Sequence, residues 1–183
     1  MSFSDTFVVF DKAIHDRKDF DCGESELNDF IQTKASKHME AKISRTMVLP
    51  SKDPLPNGKY RICAFYAVTP SSIERDSLPE DVKKKLPSYP VPVFLLAQLA
   101  VHSEYRNQKL GKTTLLKSLE YLWKIAGNLS AFAIVVDCLN ENAQNFYIKY
   151  GFQPLKTPNV RTRMFISMIV IDKLASDLGW ERR

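Results

Sequence analysis

Two continuous apolar runs, Val93–Val101 and Phe132–Val136, flank a segment with a different period. Across Gly111–Ala126, residues Leu115, Leu116, Leu119, Leu122, Trp123 and Ala126 recur at i, i+1, i+4, i+7, i+8 and i+11, the spacing of one helical face. A short apolar run without polar alternation suits a strand covered on both faces. Strand, helix and strand in that order predict an α/β domain in which helices flank a mixed sheet.

The rest of the sequence extends this pattern. Thr6–Phe10 is a short β-like run, and Phe20-Asp21-Cys22-Gly23 reads as a turn. Ser25 or Asp21 can cap a helix that reaches about Lys42. Its apolar positions Leu27, Phe30 and Ile31 share a face, but Lys34 and His38 continue that face, so a kink or two helices are expected. Arg45–Leu49 and Tyr60–Val68 read as strands joined by a turn across Lys52–Gly58. Pro70–Pro92 holds five of the ten prolines, yet Ile73, Leu78, Val82 and Leu86 recur between them, which marks a structured excursion and not a linker. Ala143, Phe146, Tyr147 and Tyr150 give a short amphipathic helix stopped by Gly151, and Met164–Ile171 reads as a last core strand.

The 183 residues fit one domain, 1–183, large enough to fold without a metal or disulfide staple. Cys22, Cys63 and Cys138 are odd in number and far apart, and neither they nor the three histidines have metal-ligand spacing. Reduced thiols and no metal are expected. Val91–Val101 is too short to span a bilayer, and Met1–Phe10 lacks the basic start and cleavage site of a signal peptide. The expected location is the cytoplasm. Net charge is +5 but unevenly placed: residues 1–30 hold three basic and eight acidic residues, and the remaining 23 basic and 13 acidic give the body +10. A basic body suits a polyanionic partner, though it equally describes a soluble basic protein without one.

Between the first apolar strand and the best helix lies Arg106-Asn107-Gln108-Lys109-Leu110-Gly111-Lys112. A strand, a polar loop and a helix N-terminus make an anion site from unpaired backbone N–H groups and the positive end of the helix dipole. Arg106, Lys109 and Lys112 add charge suited to a diphosphate. After the second strand comes Asn140-x-x-Ala143-x-x-Phe146-Tyr147-x-x-x-Gly151-Phe152. The two elements together resemble the GNAT N-acetyltransferase superfamily. The resemblance implies a GNAT fold with a mixed sheet of about six to seven strands. It implies that strands Leu95–Val101 and Phe132–Val136 splay at their C-terminal ends. Acetyl-CoA would then bind at Leu99, Ala100, Val101, Arg106, Asn107, Gln108, Lys109, Gly111, Lys112, Asn140, Ala143 and Phe146, with a backbone N–H near Leu99 or Val101 on the thioester carbonyl. Tyr147 matches the family's catalytic Tyr, which protonates the leaving thiolate. Lys109 departs from the family, which usually has Gly there; at negative φ its backbone N–H would still be available.

Further segments are Phe20-Asp21-Cys22-Gly23-x-x-x-Leu27-Asn28-x-Phe30, Ser44-Arg45-Thr46, Phe65–Pro70, and Leu86-Pro87-x-Tyr89-Pro90-Val91-Pro92-Val93 running into Leu99-Ala100-Val101. They resemble the TacT-type toxin acetyltransferases of type II toxin–antitoxin modules over about residues 18 to 170. That resemblance implies transfer of acetyl from acetyl-CoA to the α-amino group of aminoacyl-tRNA, which blocks translation. It also implies a homodimer, neutralisation by a ribbon–helix–helix antitoxin, and binding of operator DNA only as the toxin–antitoxin complex.

The residues themselves show no strong general base; His102 and Glu104 follow the strand but read as exposed loop residues. An α-amine with pKa near roughly 8 is partly neutral at cytosolic pH, whereas a Lys amine near roughly 10.4 is not, so the missing base leans toward an α-amine acceptor. Lys34, Lys37, Lys42 and Arg45, with Glu40 the one acid among them, are candidates for tracking tRNA phosphates, and Lys83–Lys85 is a weaker candidate of the same kind. Two other readings stay open. One is a GNAT enzyme acting on a small amine or a protein N-terminus; the other is an inactive GNAT fold used as a binding module.

Overall fold

The computed structural model describes residues 2–157 and 161–182. In chain order the elements are β1 (Val8–Val9), β2 (His15–Asp16), α1 (Ser25–Asp29), α2 (Ala35–Glu40), β3 (Arg45–Pro54), β4 (Tyr60–Ile73), α3 (Glu80–Lys83), β5 (Val91–Val101), α4 (Leu110–Ala126), β6 (Ala133–Asp137), α5 (Glu141–Lys149), β7 (Gln153–Pro154), β8 (Arg163–Ser167) and α6 (Met168–Leu178). The strand order is β1-β3-β4-β5-β6-β8-β7, with β2 paired to β4. Among the described residues the eight strands of this mixed α/β fold exceed the expected six or seven, and three of them, β1, β2 and β7, are two residues long. The chain divides into two compact units, residues 1–69 with 97–118, and residues 70–96 with 119–183.

In the first unit β1, β3 and β4 pair antiparallel in sequence, and β2 runs parallel to β4. Phe10, Phe20, Phe30, Ile31, Val48 and Phe65 form a core on which Ala35 and Ala100 also pack. The anticipated helix break is a π-helical turn, Phe30–Lys34, between α1 and α2. The Ala35 N–H bonds the Phe30 carbonyl five residues back. The wide turn carries Lys34 out to solvent and returns Ala35 to the buried face beside Phe30 and Ile31. This resolves the apparent failure of the apolar stripe. Neither Ser25 nor Asp21 caps the first helix: Glu24 occupies that position, and its side chain makes no capping bond. The Asp21 Oδ1 instead accepts from the Gly23 N–H and the Asn28 Nδ2, both at 2.8 Å.

In the second unit Val93–Leu96 pair in parallel with Ala133–Val136, β6 pairs antiparallel with β8, and β8 with β7. Val91, Val93, Ala133, Val135 and Phe165 present one apolar face. Ile73, Leu78, Val82 and Leu86 of the proline-rich excursion pack on that face, as their spacing anticipated. The strand expected at Met164–Ile171 ends early, at Ser167. The Ser167 side chain accepts from the Val170 N–H at 3.3 Å and caps α6, whose Met168, Ile171 and Ala175 are buried at i, i+3 and i+7. α6 is held to the end of α4 by the Trp123 Nε1 donating to Asp172 at 2.8 Å.

Helix α5 carries a start and a stop written in sequence. Asn140 is its N-cap, with Oδ1 accepting from the Ala143 N–H at 2.9 Å. At the other end the Gly151 N–H bonds the Ile148 carbonyl and the Phe152 N–H bonds the Tyr147 carbonyl. This is the Schellman pattern, which needs a left-handed residue, and Gly151 has φ +92°. The apolar contact that usually accompanies the pattern is the Phe152 ring against Tyr147, 5.2 Å between centroids. Gly151→Ala would meet nothing closer than Ile166 Cδ1 at 3.8 Å, so its cost is backbone strain and not a clash. We expect the variant to lose ~1–2 kcal/mol in chemical denaturation while keeping the fold.

Candidate active site

β5 outruns its partner. Its ladder with β6 ends at Leu96↔Val136, while the strand continues to Val101. Leu99 and Val101 are half-buried, Ala100 buried, and the next residue, His102, returns its N–H to the Cys63 carbonyl of β4 at 2.9 Å. The backbone of this tail has no β6 rung beyond Leu96, as the expected splay requires.

The chain then enters the basic loop of the same unit. Arg106, Asn107, Gln108, Lys109 and Lys112 are all exposed, and Leu110 is buried as an anchor. Asn107 and Lys109 have φ of +62° and +57°. Lys109 therefore sits in the left-handed region where the resembled family places Gly, and the negative φ considered for it is not adopted. Asn tolerates that conformation; Lys is strained by it. The first intrahelical bond of α4 runs from the Thr113 N–H to the Lys109 carbonyl, so the N–H groups of Leu110, Gly111 and Lys112 have no acceptor within the helix. N–H groups without a helical acceptor, a helix N-terminus and two exposed lysine side chains fit a diphosphate. Arg106 differs from expectation in one respect: its Nη2 donates to the Cys22 carbonyl at 2.6 Å.

His102 is buried and fully engaged, not an exposed loop residue. Its Nδ1 accepts from the Glu104 N–H at 3.2 Å and its Nε2 lies 3.2 Å from the Asp19 carbonyl. Glu104 is exposed and paired with Arg61, which also forks onto Asp19 through Nε at 2.6 Å and Nη2 at 3.1 Å. The resemblance had singled out the Asp-Cys-Gly turn, but its partners Ser103 and Arg106, 82 and 84 positions away, had no local signal in the sequence.

The second unit holds Tyr147, on α5. It is 8% exposed and packed against Phe146 and Phe152 at 5.2 Å each. Burial, with a smaller contribution from the Cys138 thiol, pushes its phenol well above the usual range, so the hydroxyl stays protonated. Ala143 and Phe146 are half-buried on the same helix. Cys22, Cys63 and Cys138 are free and buried.

The four basic candidates lie in the first unit, all exposed. Lys34 is drawn onto Asp29 at 2.8 Å, an acid from the preceding turn that raises the count of local acids beyond Glu40. Lys37 lies in α2, Lys42 just past it with φ +60°, and Arg45 opens β3. Beside them is a cavity of about 320 Å³ lined by Phe30, Lys34, His38, Ile43, Ser44 and Gln98, among others. In the other unit Lys83 is paired with Asp76 and Glu80, which offsets the charge of the Lys83–Lys85 run. Among the described residues no group of three or more His, Cys, Asp or Glu could hold a metal, and no helix is long and apolar enough to cross a membrane.

The sequence profile of the family described as "Acetyltransferase (GNAT) domain" matches residues 61–154, just over half of the chain. The chain belongs to the GNAT acetyltransferase family. Among its relatives, a probable toxin TacT of Sinorhizobium fredii is 27% identical over 87% of this chain and 89% of the relative. A tRNA-acetylating toxin of Mycobacterium tuberculosis is 29% identical over 73% of this chain and 76% of its own. The solved structure of AtaT complexed with acetyl-methionyl-tRNAfMet superposes with a TM-score of 0.83 and 28% identity, covering 92% of this chain and 98% of AtaT. A tyrosine-to-phenylalanine mutant of KacT gives 0.85 at 26% identity, covering 95% and 99%. AtaTR bound with acetyl-CoA gives 0.79 at 29%, covering 92% and 96%.

This GNAT chain carries Lys at a left-handed position, so Lys109→Gly should release strain. We expect it to gain ~1 kcal/mol in urea denaturation, offset in part by the greater freedom of Gly in the unfolded chain.

Proposed function

We propose that this GNAT chain is a single-domain toxin that acetylates the α-amino group of aminoacyl-tRNA and so blocks translation. The observation that carries the reading is the likeness, over 92% of the chain, to AtaT complexed with acetyl-methionyl-tRNAfMet. It is supported by the two relatives described as a probable toxin and a tRNA-acetylating toxin. Leu99, Ala100 and Val101 would bond the pantetheine arm, and Asn107, Gln108, Lys109, Gly111 and Lys112 the diphosphate, with Arg106 at the base of the loop. Asn140, Ala143 and Phe146 would border the same co-substrate. For Asn140 the contribution is also indirect, since it starts the helix on which Tyr147 rides.

Tyr147 is the proposed acid. A thiolate with pKa near roughly 8.5 is already a fair leaving group, and a buried phenol kept neutral by desolvation can stabilise it further by a hydrogen bond as the C–S bond breaks. A general base is not required if the acceptor is an α-amine, a fraction of which is neutral at pH 7. Engagement of both His102 nitrogens supports that economy. Lys34, Lys37, Lys42 and Arg45 would track the acceptor stem. A cytoplasmic homodimer neutralised by a ribbon–helix–helix antitoxin, with operator DNA bound by the complex, completes the proposal; the structure described as the KacTA–DNA complex, 25% identical to this chain, supports the last part.

Incubation with labelled acetyl-CoA and total charged tRNA tests the reading: label should appear on aminoacyl-tRNA, and label only on small amines or protein N-termini would replace it. Tyr147→Phe should keep acetyl-CoA binding and lower kcat by on the order of 10²–10⁴, measured under saturating co-substrate. Wild-type turnover would return Tyr147 to a packing role. Reversing Lys37 and Lys42 to Glu should weaken tRNA binding and reduce its log–log salt slope by about 0.7–0.9 per lost phosphate contact, with acetyl-CoA affinity unchanged. An untouched slope would make this face ordinary solvated surface.

A further inference from the structure

We propose that the Asp21-Cys22-Gly23 turn positions the diphosphate loop, and that Arg106 acts through Cys22 and not on the phosphates; the inference rests on the acetyl-CoA reading above. The carbonyls of the turn are the side presented to the loop. The Asp21 carbonyl accepts from both the N–H and the Oγ of Ser103, each at 2.8 Å. The next carbonyl, of Cys22, accepts from the Arg106 guanidinium at 2.6 Å. The N–H side of the turn is held from behind. The Cys22 N–H donates to the Asn28 Oδ1 at 2.9 Å and the Gly23 N–H to the Asp21 Oδ1 at 2.8 Å. The loop thus meets a turn whose own donors and acceptors are already fixed.

Gly23 has two reasons to be glycine. Its φ is +82°, and a Cβ there would lie 2.8 Å from the Arg106 Nη2, so a side chain would push the guanidinium off Cys22. One residue upstream of Ser103, the His102 Nε2 reaches the Asp19 carbonyl, and Arg61 joins Asp19 to Glu104. Residues 102–106 are therefore fastened to 19–23 at four points. Two left-handed residues, Asn107 and Lys109, follow in the same loop. A strained segment keeps its geometry only when its surroundings over-determine it, and this fastening does so. One N–H of the Arg106 Nη2 is committed to the Cys22 carbonyl, in a charge-assisted bond of the stronger class.

Calorimetric titration of the full chain with acetyl-CoA, at several salt concentrations, tests the proposal. We expect Gly23→Ala, Ser103→Ala and Arg106→Met each to weaken binding by about tenfold without altering its salt dependence, with Lys112→Ala as the control that flattens it. In turnover assays KM for acetyl-CoA should rise by the same factor while kcat at saturation holds; thermal midpoints should move little for Ser103→Ala and Arg106→Met and fall for Gly23→Ala, whose φ of +82° strains any side chain. If Arg106→Met flattens the salt dependence as Lys112→Ala does, and Gly23→Ala binds like wild type, Arg106 is a phosphate ligand and the proposal fails. Wild-type affinity in both Ser103→Ala and Arg106→Met overturns it as well; Ser103→Ala removes only one of two bonds to Asp21 and leaves the fold intact. A wild-type chain that binds no acetyl-CoA at low salt instead overturns the acetyl-CoA reading, and this inference with it.

Discussion

The unequal lengths of β5 and its β6 ladder are the constraint from which the functional features follow. Four residue pairs, Val93↔Ala133 to Leu96↔Val136, commit the strand to parallel pairing, and burial of Val91, Val93, Phe94 and Leu96 makes that commitment costly to undo. Past Leu96 the backbone keeps its strand conformation but loses that partner. Amide groups in an apolar setting without a bond are rarely tolerated, so such a tail is a standing demand for an external partner. On the proposed function, the amide-rich pantetheine arm of acetyl-CoA would meet the demand by adding what resembles a missing strand.

On the proposed function, chemistry and architecture would use the same residues at α5. The Asn-x-x-Ala spacing is the reach of an N-cap oxygen to the third N–H of a helix, and the Tyr-x-x-x-Gly-Phe spacing is the closure of a Schellman stop. Tyr147 supplies the carbonyl that accepts the outermost bond of the stop, so its backbone is fixed at the place where its ring is packed. A pattern that resembles a binding motif is here also a folding instruction. The same residues can serve both, because an acid that must meet a sulfur needs a helix that ends in one place only.

Much of this was legible in the sequence, and the gaps have physical causes. The period of α4 and the two apolar strands were clear because each buries a continuous apolar surface. The break after Ile31 was visible as Lys34 and His38 on an apolar face, though a π turn cannot be told from a kink by periodicity. α6 was missed because Met164–Ile171 is apolar but for Ser167, a composition that suits a strand or a buried helix equally, and only the capping bond of that Ser167 side chain decides. The conformation of Lys109 was hidden since a Lys gives no sign of left-handed φ. The bond from Arg106 to Cys22 was hidden as well: two segments 84 positions apart meet only through the fold.

The π turn at Phe30–Lys34 has a consequence for how a chain like this can vary. A helix advances about 100° per residue, so one residue more or less in a turn re-indexes every side chain after it. The wide turn absorbs that extra residue instead: the Ala35 N–H reaches the Phe30 carbonyl five residues back, and the next helix takes up Lys37 and leads to Arg45 at the start of β3. Deleting one residue between Phe30 and Lys34 would turn the five-residue bond into an ordinary four-residue one, leaving Ala35 buried and Lys37 where it stands. The same deletion inside Ala35–Glu40 would swing every residue after it by more than a quarter of a revolution. The wide turn is the place in this helix where chain length can change while the cationic row keeps its line.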